Sequence, residues 1–382
     1  MKIYIDRIQL LEAVTTVGKA SIASFLKESP ELSGILFEAS SDKRRLKLTS
    51  TNKEFSIQRV LEGVKVFESG SAVIPAALIH NILSCPNEDY AEIEIGKNNR
   101  VKIQIGRTHY EINALPAEKF PKAPIPFPAT TIKAKGLPAL IRRAIIASGR
   151  DAEQPEKQCV KLVFSKLSST ATATDSYRIS ISEAEECADG SLEILLHMKA
   201  LTTLSSIVGR ADEVFVGVND KWAIMFKEGL IFSARIMESN FVDSKLYFER
   251  FKHIYECTVS GSEFLSGADI VSLCSMGCIN LAIIENGICL SSESEKNTSK
   301  VHVSGKVAEQ TPPEGFYYNP KYILDVLKIA KGEIVVRLDK IGIMLLEASG
   351  IKYFVMPMKK PIITTKEKKK PKTKKSTAGK AA

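Results

Sequence analysis

Val73–Ile95 reads VIPAALIHNILSCPNEDYAEIEI: a short strand, a break at Pro75, an amphipathic helix of about ten residues, a polar turn and an alternating strand. The same order returns in Leu195–Val218, LLHMKALTTLSSIVGRADEVFVGV, and in Tyr317–Leu338, YYNPKYILDVLKIAKGEIVVRL. Aligned on the break, Pro75, His197 and Asn319 lie 122 residues apart both times. The helical apolar positions keep step as Ile79, Ile82 and Leu83, then Leu201, Leu204 and Ile207, then Ile323, Val326 and Leu327.

Other parts recur with the same period. LKLTSTNKEFSI from Leu46, SSTATATDSYRISI from Ser168 and GICLSSESEKNTSKVHV from Gly287 are each a strand, a polar corner and a second strand. Phe120 and Phe241 close LPAEKF and RIMESNF 121 residues apart, and 121 residues beyond Ile236 stands Pro357. An earlier helix also repeats, as IQLLEAVTTVGKA from Ile8, GLPALIRRAIIAS from Gly136 and SEFLSGADIVSLCS from Ser262. Solenoid units run about 20–50 residues, so this period belongs to a triplicated domain whose copies each hold a core. The expected class is α+β, with copies at 1–128, 129–252 and 253–358 and a separate segment at 359–382.

A chain of 382 residues, 44% of them hydrophobic, has room for several cores. Its start, MKIYIDRIQL, has no apolar signal core, and no apolar run approaches the roughly 18 residues of a membrane span, so a cytoplasmic location is expected. The net charge of +9 is unevenly placed. Residues 359–382 carry ten lysines and one glutamate, while the preceding 358 residues hold 43 basic and 43 acidic side chains. The body is formally neutral, and the tail, with little to bury, is expected to be disordered. Seven cysteines without a CxxC pair or histidines at ligand spacing read as reduced core thiols, and neither metal nor cofactor is expected.

The triplication, the corner ATDSYR at Ala173–Arg178, LPAEKFP at Leu115–Pro121 and the terminal VMPM at Val355–Met358 together resemble the bacterial beta sliding clamp family, the processivity subunit of the replicative DNA polymerase. The resemblance runs from Met1 to about Lys359. It implies three clamp-type domains per chain, two helices on antiparallel sheets in each, and a head-to-tail homodimer closing a six-domain ring. Twelve helices about 10 Å across would line a hole roughly 38 Å wide at their axes, about 28 Å clear, wider than duplex DNA. Such a ring holds DNA topologically and needs only a mildly basic lining. The implied partners are duplex DNA, a DNA polymerase catalytic subunit, an ATP-driven clamp loader and repair proteins carrying clamp-binding peptides.

The resemblance also implies sites. The peptide pocket would take Cys159, Thr174, Tyr177, Arg178, Ile179, Phe241, Val242, Leu246, Phe354, Met356, Pro357 and Met358, with flexible methionines adapting to several peptides and one basic residue as anchor. Phe241-Val242 and Leu246 depart from the family's phenylalanine-proline and arginine, and Cys159 from its leucine. Basic residues on or beside the candidate lining helices are Lys19, Arg142, Arg143, Arg150, Lys199, Arg210, Lys321, Lys328 and Lys331. The helix at 78–83 offers only His80, and that at 263–274 carries Glu263 and Asp269 without a base. The dimer contact would join Tyr110 and Ile112 of the edge strand HYEIN to Leu273 of a second chain, with Glu293 and Glu295 as charge partners.

Enzyme signatures are missing: no GxxxxGK[ST], HExxH or GxSxG occurs, and no GxGxxG follows a strand. Asp175, between Thr174 and Ser176 in a polar corner, reads as a turn former rather than a catalytic acid. A non-catalytic processivity factor is the expected function. The alternative is a clamp-like paralogue that recruits proteins without encircling DNA.

Overall fold

The computed structural model describes residues 1–22, 29–85, 88–96, 98–121, 127–149, 153–184, 188–294, 297–308 and 314–360, the side chains of Ser244 and Lys245 excepted. Arg150, Cys187, Glu295 and the lysine-rich segment from residue 361 lie outside them.

Seven helices are described: α1 (Arg7–Gly18), α2 (Ala76–Ser84), α3 (Leu137–Ala144), α4 (Met198–Ile207), α5 (Ser244–Arg250), α6 (Gly261–Ser272) and α7 (Pro320–Leu327). The breaks that set the repeat are helix N-caps. Pro75, His197 and Asn319 cap α2, α4 and α7. Asn319 Oδ1 accepts from the Lys321 amide at 3.0 Å, and His197 Nδ1 from the Lys199 amide at 3.1 Å. Pro320 follows its cap, where a missing N–H costs nothing.

The buried faces carry the expected apolar positions, with one correction. Ile79, Ile82 and Leu83, like Ile323, Val326 and Leu327, are buried. In α4 the third place goes to Ser205, while Ile207 is half-buried. Ser205 stays inside because its hydroxyl donates to Thr202 O at 3.0 Å. The helices pack as the pairs α1–α2, α3–α4 and α6–α7, one pair per copy.

The chain divides into two compact units. The first is Met1–Lys252 with Leu346–Phe354. It holds a five-stranded antiparallel sheet, in spatial order Lys65–Glu68, Lys2–Asp6, Tyr90–Ile95, Arg100–Ile105 and Thr108–Asn113. An eight-stranded sheet runs continuously from the second copy into the first: Thr131–Ala134, Val214–Asn219, Trp222–Lys227, Leu230–Arg235, Phe55–Glu62, Arg45–Thr51, Gly34–Ser40 and Gly70–Pro75. The seam is the antiparallel pairing of Leu230–Arg235 with Phe55–Glu62, where Ser233 faces Ser56. A further run of strands is ordered Leu192–His197, Cys159–Phe164, Ser169–Thr174 and Arg178–Ala184, and residues 351–354 of the terminal strand Ile351–Val355 neighbour the last of them.

The second unit is His253–Leu345 with the residues from Val355 onward. Its strands run Glu333–Leu338, Tyr255–Ser260, Thr298–Val307, Gly287–Glu293, Ile279–Ile284 and Phe316–Tyr318. α6 lies on Thr298–Val307 and Gly287–Glu293. Gly267 permits the approach, because a Cβ there would meet Val303, Val301 and Leu290 at 3.1–3.3 Å.

Candidate peptide pocket and nucleic-acid interface

The corner Thr174–Arg178 joins two strands and is built by its own polar side chains. Asp175 Oδ1 accepts from the amides of Tyr177 and Arg178, each at 3.0 Å, an Asx turn as the sequence predicted. The Thr174 hydroxyl donates to Arg178 O at 2.8 Å and accepts from the Ser176 amide at 3.1 Å. Ser176 takes φ 77°, in the left-handed region. This scaffold pushes Tyr177 outward, 64% exposed, and turns Arg178 inward, 7% exposed.

Burial of Arg178 corrects its assignment as an open basic anchor. Its guanidinium bonds to Asp175 Oδ2 at 2.9 Å and to the Tyr353 hydroxyl at 3.1 Å. Those bonds compensate a charge withdrawn from water, so the residue ties the corner to the terminal strand. Thr174, Ile179 and Cys159 are likewise buried and lie beneath the surface. Burial, with Glu156 nearby, pushes the Cys159 thiol up to about 11, so it stays protonated.

Phe354, 3% exposed, is held by two rings the sequence reading did not single out. Phe248 of α5 lies 5.1 Å away at 65°, and Phe251 lies 5.3 Å away at 80°, both edge-on. Their spacing, three residues apart in FERF, was the available signal. Lys352 places its ammonium 5.1 Å from the Phe248 centroid and pairs with Glu183 at 3.1 Å. Phe241 and Val242 are half-buried and Leu246 is exposed on α5. Met356, Pro357 and Met358 follow in the chain and belong to the second unit, where the Met358 amide donates to Tyr317 O at 2.6 Å.

The helix faces differ in charge. Lys19, Arg142, Lys199, Arg210, Lys321, Lys328 and Lys331 are exposed. Lys19 bonds Ser206 O and Oγ at 3.1 Å, bridging the ends of α1 and α4. Arg143 is different: it lays a guanidinium nitrogen against Gly350, where a Cβ would sit 2.9 Å from it. That side chain packs on the Ser349–Gly350 turn and is removed from the open helix face. α2 exposes Ala77, Leu78, Asn81 and Ser84, and α6 exposes Glu263 and Asp269.

Among the strands with an unpaired edge are Thr108–Asn113 and the first part of Thr298–Val307. Thr108–Asn113 ends its sheet, with Tyr110 and Ile112 half-buried, and Thr298–Ser304 is paired only to Gly287–Glu293. Leu273, at the end of α6, is 86% exposed. An unprotected edge and a bare leucine both call for a mate.

Among the described residues, no group of three or more His, Cys, Asp or Glu is placed to hold a metal, and no helix is long and apolar enough to cross a membrane. Cys159, Cys257, Cys278 and Cys289 are buried, but Cys85 is exposed, so the core reading fails for that thiol.

Residues 1–124 match the family described as DNA polymerase III beta subunit, N-terminal domain. The beta sliding clamp of Bacillus subtilis (strain 168) is 27% identical over 354 residues, covering 87% of this chain and 91% of that protein. The beta sliding clamp of Vibrio cholerae is 22% identical, covering 86% of this chain and 90% of its own. The crystal structure of the Bacillus subtilis DNA polymerase sliding clamp superposes with a TM-score of 0.85 at 24% identity, over 94% of this chain and all of that one. Residues 1–124 thus match the N-terminal domain of DNA polymerase III beta subunits, and the chain is similar along most of its length to beta sliding clamps and shares their fold.

Proposed function

We propose that the protein is a non-catalytic DNA sliding clamp: two chains close a ring around duplex DNA and tether a polymerase and other replication or repair proteins to it. The observation that carries the reading is the tally of strand edges. Two edge-to-edge joints are made within the chain, Phe55–Glu62 with Leu230–Arg235 and Arg178–Ala184 with Ile351–Val355. In each, the second strand of a corner receives the last strand of a three-strand run. One strand of each kind is left over, Thr298–Val307 and Thr108–Asn113.

A chain with one spare edge of each kind joins a second copy head to tail, and three copies per chain close six around an axis. The in-chain joint suggests the register. Glu111 is fourth in its strand, as Ser233 is; Thr298 is the last residue paired across its corner, opposite Glu293, as Ser56 is opposite Thr51. Glu111 would therefore face the partner subunit's Thr298, with Tyr110 and Ile112 beside it and Leu273 covered nearby.

Lys19, Arg142, Lys199, Arg210, Lys321, Lys328 and Lys331 supply a sparse basic lining suited to sliding along phosphates without reading bases. Tyr177 and Leu246, above the buried Arg178 and Phe354, form the proposed docking ground for clamp-binding peptides. Loading onto DNA falls to a separate ATP-driven loader, and the cytoplasm of a bacterium is the setting. Relatives that are clamps along most of their length do not favour a platform that leaves DNA unencircled.

Retention on DNA tests the proposal. With a loader and ATP, the protein should stay on nicked circles and run off once they are linearised. Equal retention on both forms would refute encirclement.

A further inference from the structure

We infer that the third copy carries a binding site for a small phosphate monoester, held between Lys300 and Lys360 on the strand face turned away from α6. The site lies wholly within the second unit and does not rest on the clamp reading.

The first observation is geometric. One cross-strand row sets Tyr317 opposite Asn280, Asn280 opposite Ser291 and Ser291 opposite Lys300. α6 meets the other face of these strands, where Gly267 approaches Leu290, Val301 and Val303, so Ser291 and Lys300, which alternate with them, point away from the helix. Pairing of the strand edge with a second chain would use its backbone and leave this face open. The Met358 amide bonds Tyr317 O at 2.6 Å, and two residues on, Lys360 closes the side of the row. Between them lies a cavity of about 300 Å³, at the lower end for small-molecule sites. A bare phosphate would leave room there, so the shape favours one that carries an organic group.

The second observation is chemical. Among the described residues neither lysine is ion-paired, and no side-chain hydrogen bond engages Asn280, Ser291, Thr298 or Tyr317, all of which line the cavity. Two ammonium groups, three hydroxyls and a carboxamide therefore converge with their donors uncommitted. Glu293, exposed, is the acid among the described lining residues, which leaves a surplus of positive charge. A side chain at Gly315 would collide with the Asn280 carboxamide, so glycine there leaves the amide its place. A phosphate monoester brings a charge of about −1.5 to −2 and three strong acceptor oxygens, the complement of this set. Lysine meets such a group as a compact point charge, without a fixed geometry.

The same address in the first copy shows that the set is no by-product of the fold. There the row is Val73, Leu36, Thr49 and Gln58, the Leu115 amide bonds Val73 O at 2.8 Å, and a cavity of about 360 Å³ results. Its lysine, Lys47, is tied to Glu38 at 2.7 Å, and Glu118 adds a second acid. Leu36, Gln58 and Ala117 stand where the third copy has Asn280, Lys300 and Lys360. Duplication made both cavities, and these exchanges turned one of them toward an anion.

Calorimetric titration of the full chain with AMP, a representative monoester, tests this, with adenosine and inorganic phosphate in parallel. AMP should bind, inorganic phosphate should bind more weakly and adenosine should not bind. Lys300→Gln with Lys360→Gln should weaken AMP by about tenfold or more, as loss of charged hydrogen-bond donors implies. Lys359→Gln, at an exposed lysine outside the cavity, and Lys47→Gln, at the first copy's address, should leave the affinity unchanged. Equal AMP affinity in the double variant, the same loss from Lys359→Gln, or adenosine binding as tightly as AMP would each overturn the inference. Inorganic phosphate as tight as AMP would overturn the ester and leave a bare anion as the ligand. Binding of a glutamate-rich peptide without binding of AMP would overturn it in favour of an acidic protein partner.

Discussion

The two joints inside the chain share a backbone and differ in chemistry. At the first, Thr51 Oγ1 donates to Phe55 O at 2.9 Å, Asn52 Oδ1 accepts from the Phe55 amide at 2.9 Å, and Lys53 takes φ 73°. At the second, Thr174, Asp175 and Ser176 reproduce each of these features. The seams also match: the Val60 amide donates to Gly229 O at 2.8 Å, and the Glu183 amide to Gly350 O at 2.9 Å.

The side chains then diverge. Phe55 stacks on Phe232 at 5.8 Å, and Ser56 bonds Ser233 at 2.6 Å. The corresponding places at the second joint hold Arg178 with Tyr353, and Ile179 with Phe354. At the tip, Glu54 of the first corner becomes Tyr177 of the second. One joint is a seam and nothing more. The other buries a tethered charge over an aromatic cluster and leaves a large ring in solvent, which suits a surface that receives partners. Duplication supplied the geometry; exchange of four or five side chains supplied the proposed site.

The sharpest way to break this comparison is Arg178→Leu. It strands Asp175 and Tyr353 in a buried place and should destabilise the first unit by about 3–5 kcal/mol in urea unfolding. Importing the first joint's set, Asp175→Asn with Arg178→Phe and Tyr353→Phe, should recover most of that loss. A triple variant as weak as Arg178→Leu would mean the joints are not interchangeable.

Tyr177→Glu, which copies the first corner's tip, should leave unfolding unchanged and weaken a clamp-binding peptide at least tenfold, about 1.4 kcal/mol, by fluorescence anisotropy. Ser56→Ala removes one hydroxyl of a buried pair and should cost about 1 kcal/mol. The smallest effect is one of pH. Burial holds the His197 imidazole below its ordinary value, so on acidification through about 6.5 the unfolded chain takes up the proton first. Stability present at neutral pH is then lost as pH falls toward the folded value. His197→Asn, the cap that α7 uses, should flatten that acid limb in a series of melting curves.

Much of this architecture is legible in the sequence because its signals are local and repeated. The breaks at Pro75, His197 and Asn319 mark caps, and the apolar spacing marks buried faces. What was not legible depends on which way a side chain turns. The letters TDSYR name an arginine but not its burial against Tyr353, a residue 175 positions away. Arg143 counts as a helix cation until its guanidinium is seen on Gly350. Phe248 and Phe251 look like an ordinary amphipathic pair until Phe354 arrives between them. Ser205 in place of Ile207 reflects the same limit, since a serine that bonds its own helix is cheap to bury.

The central claim is that the joint between two chains repeats the joints within one, and a disulfide reads it directly. In a chain lacking the exposed Cys85, cysteines at Glu111 and Thr298 would take the places of Ser233 and Ser56, whose hydroxyls lie 2.6 Å apart. The account predicts a covalent dimer on mild oxidation, with both joints closed, and none when the second cysteine is moved one residue to Ser299, whose side chain leaves the opposite face of the strand. Absence of the first crosslink, or equal crosslinking of both pairs, would contradict it.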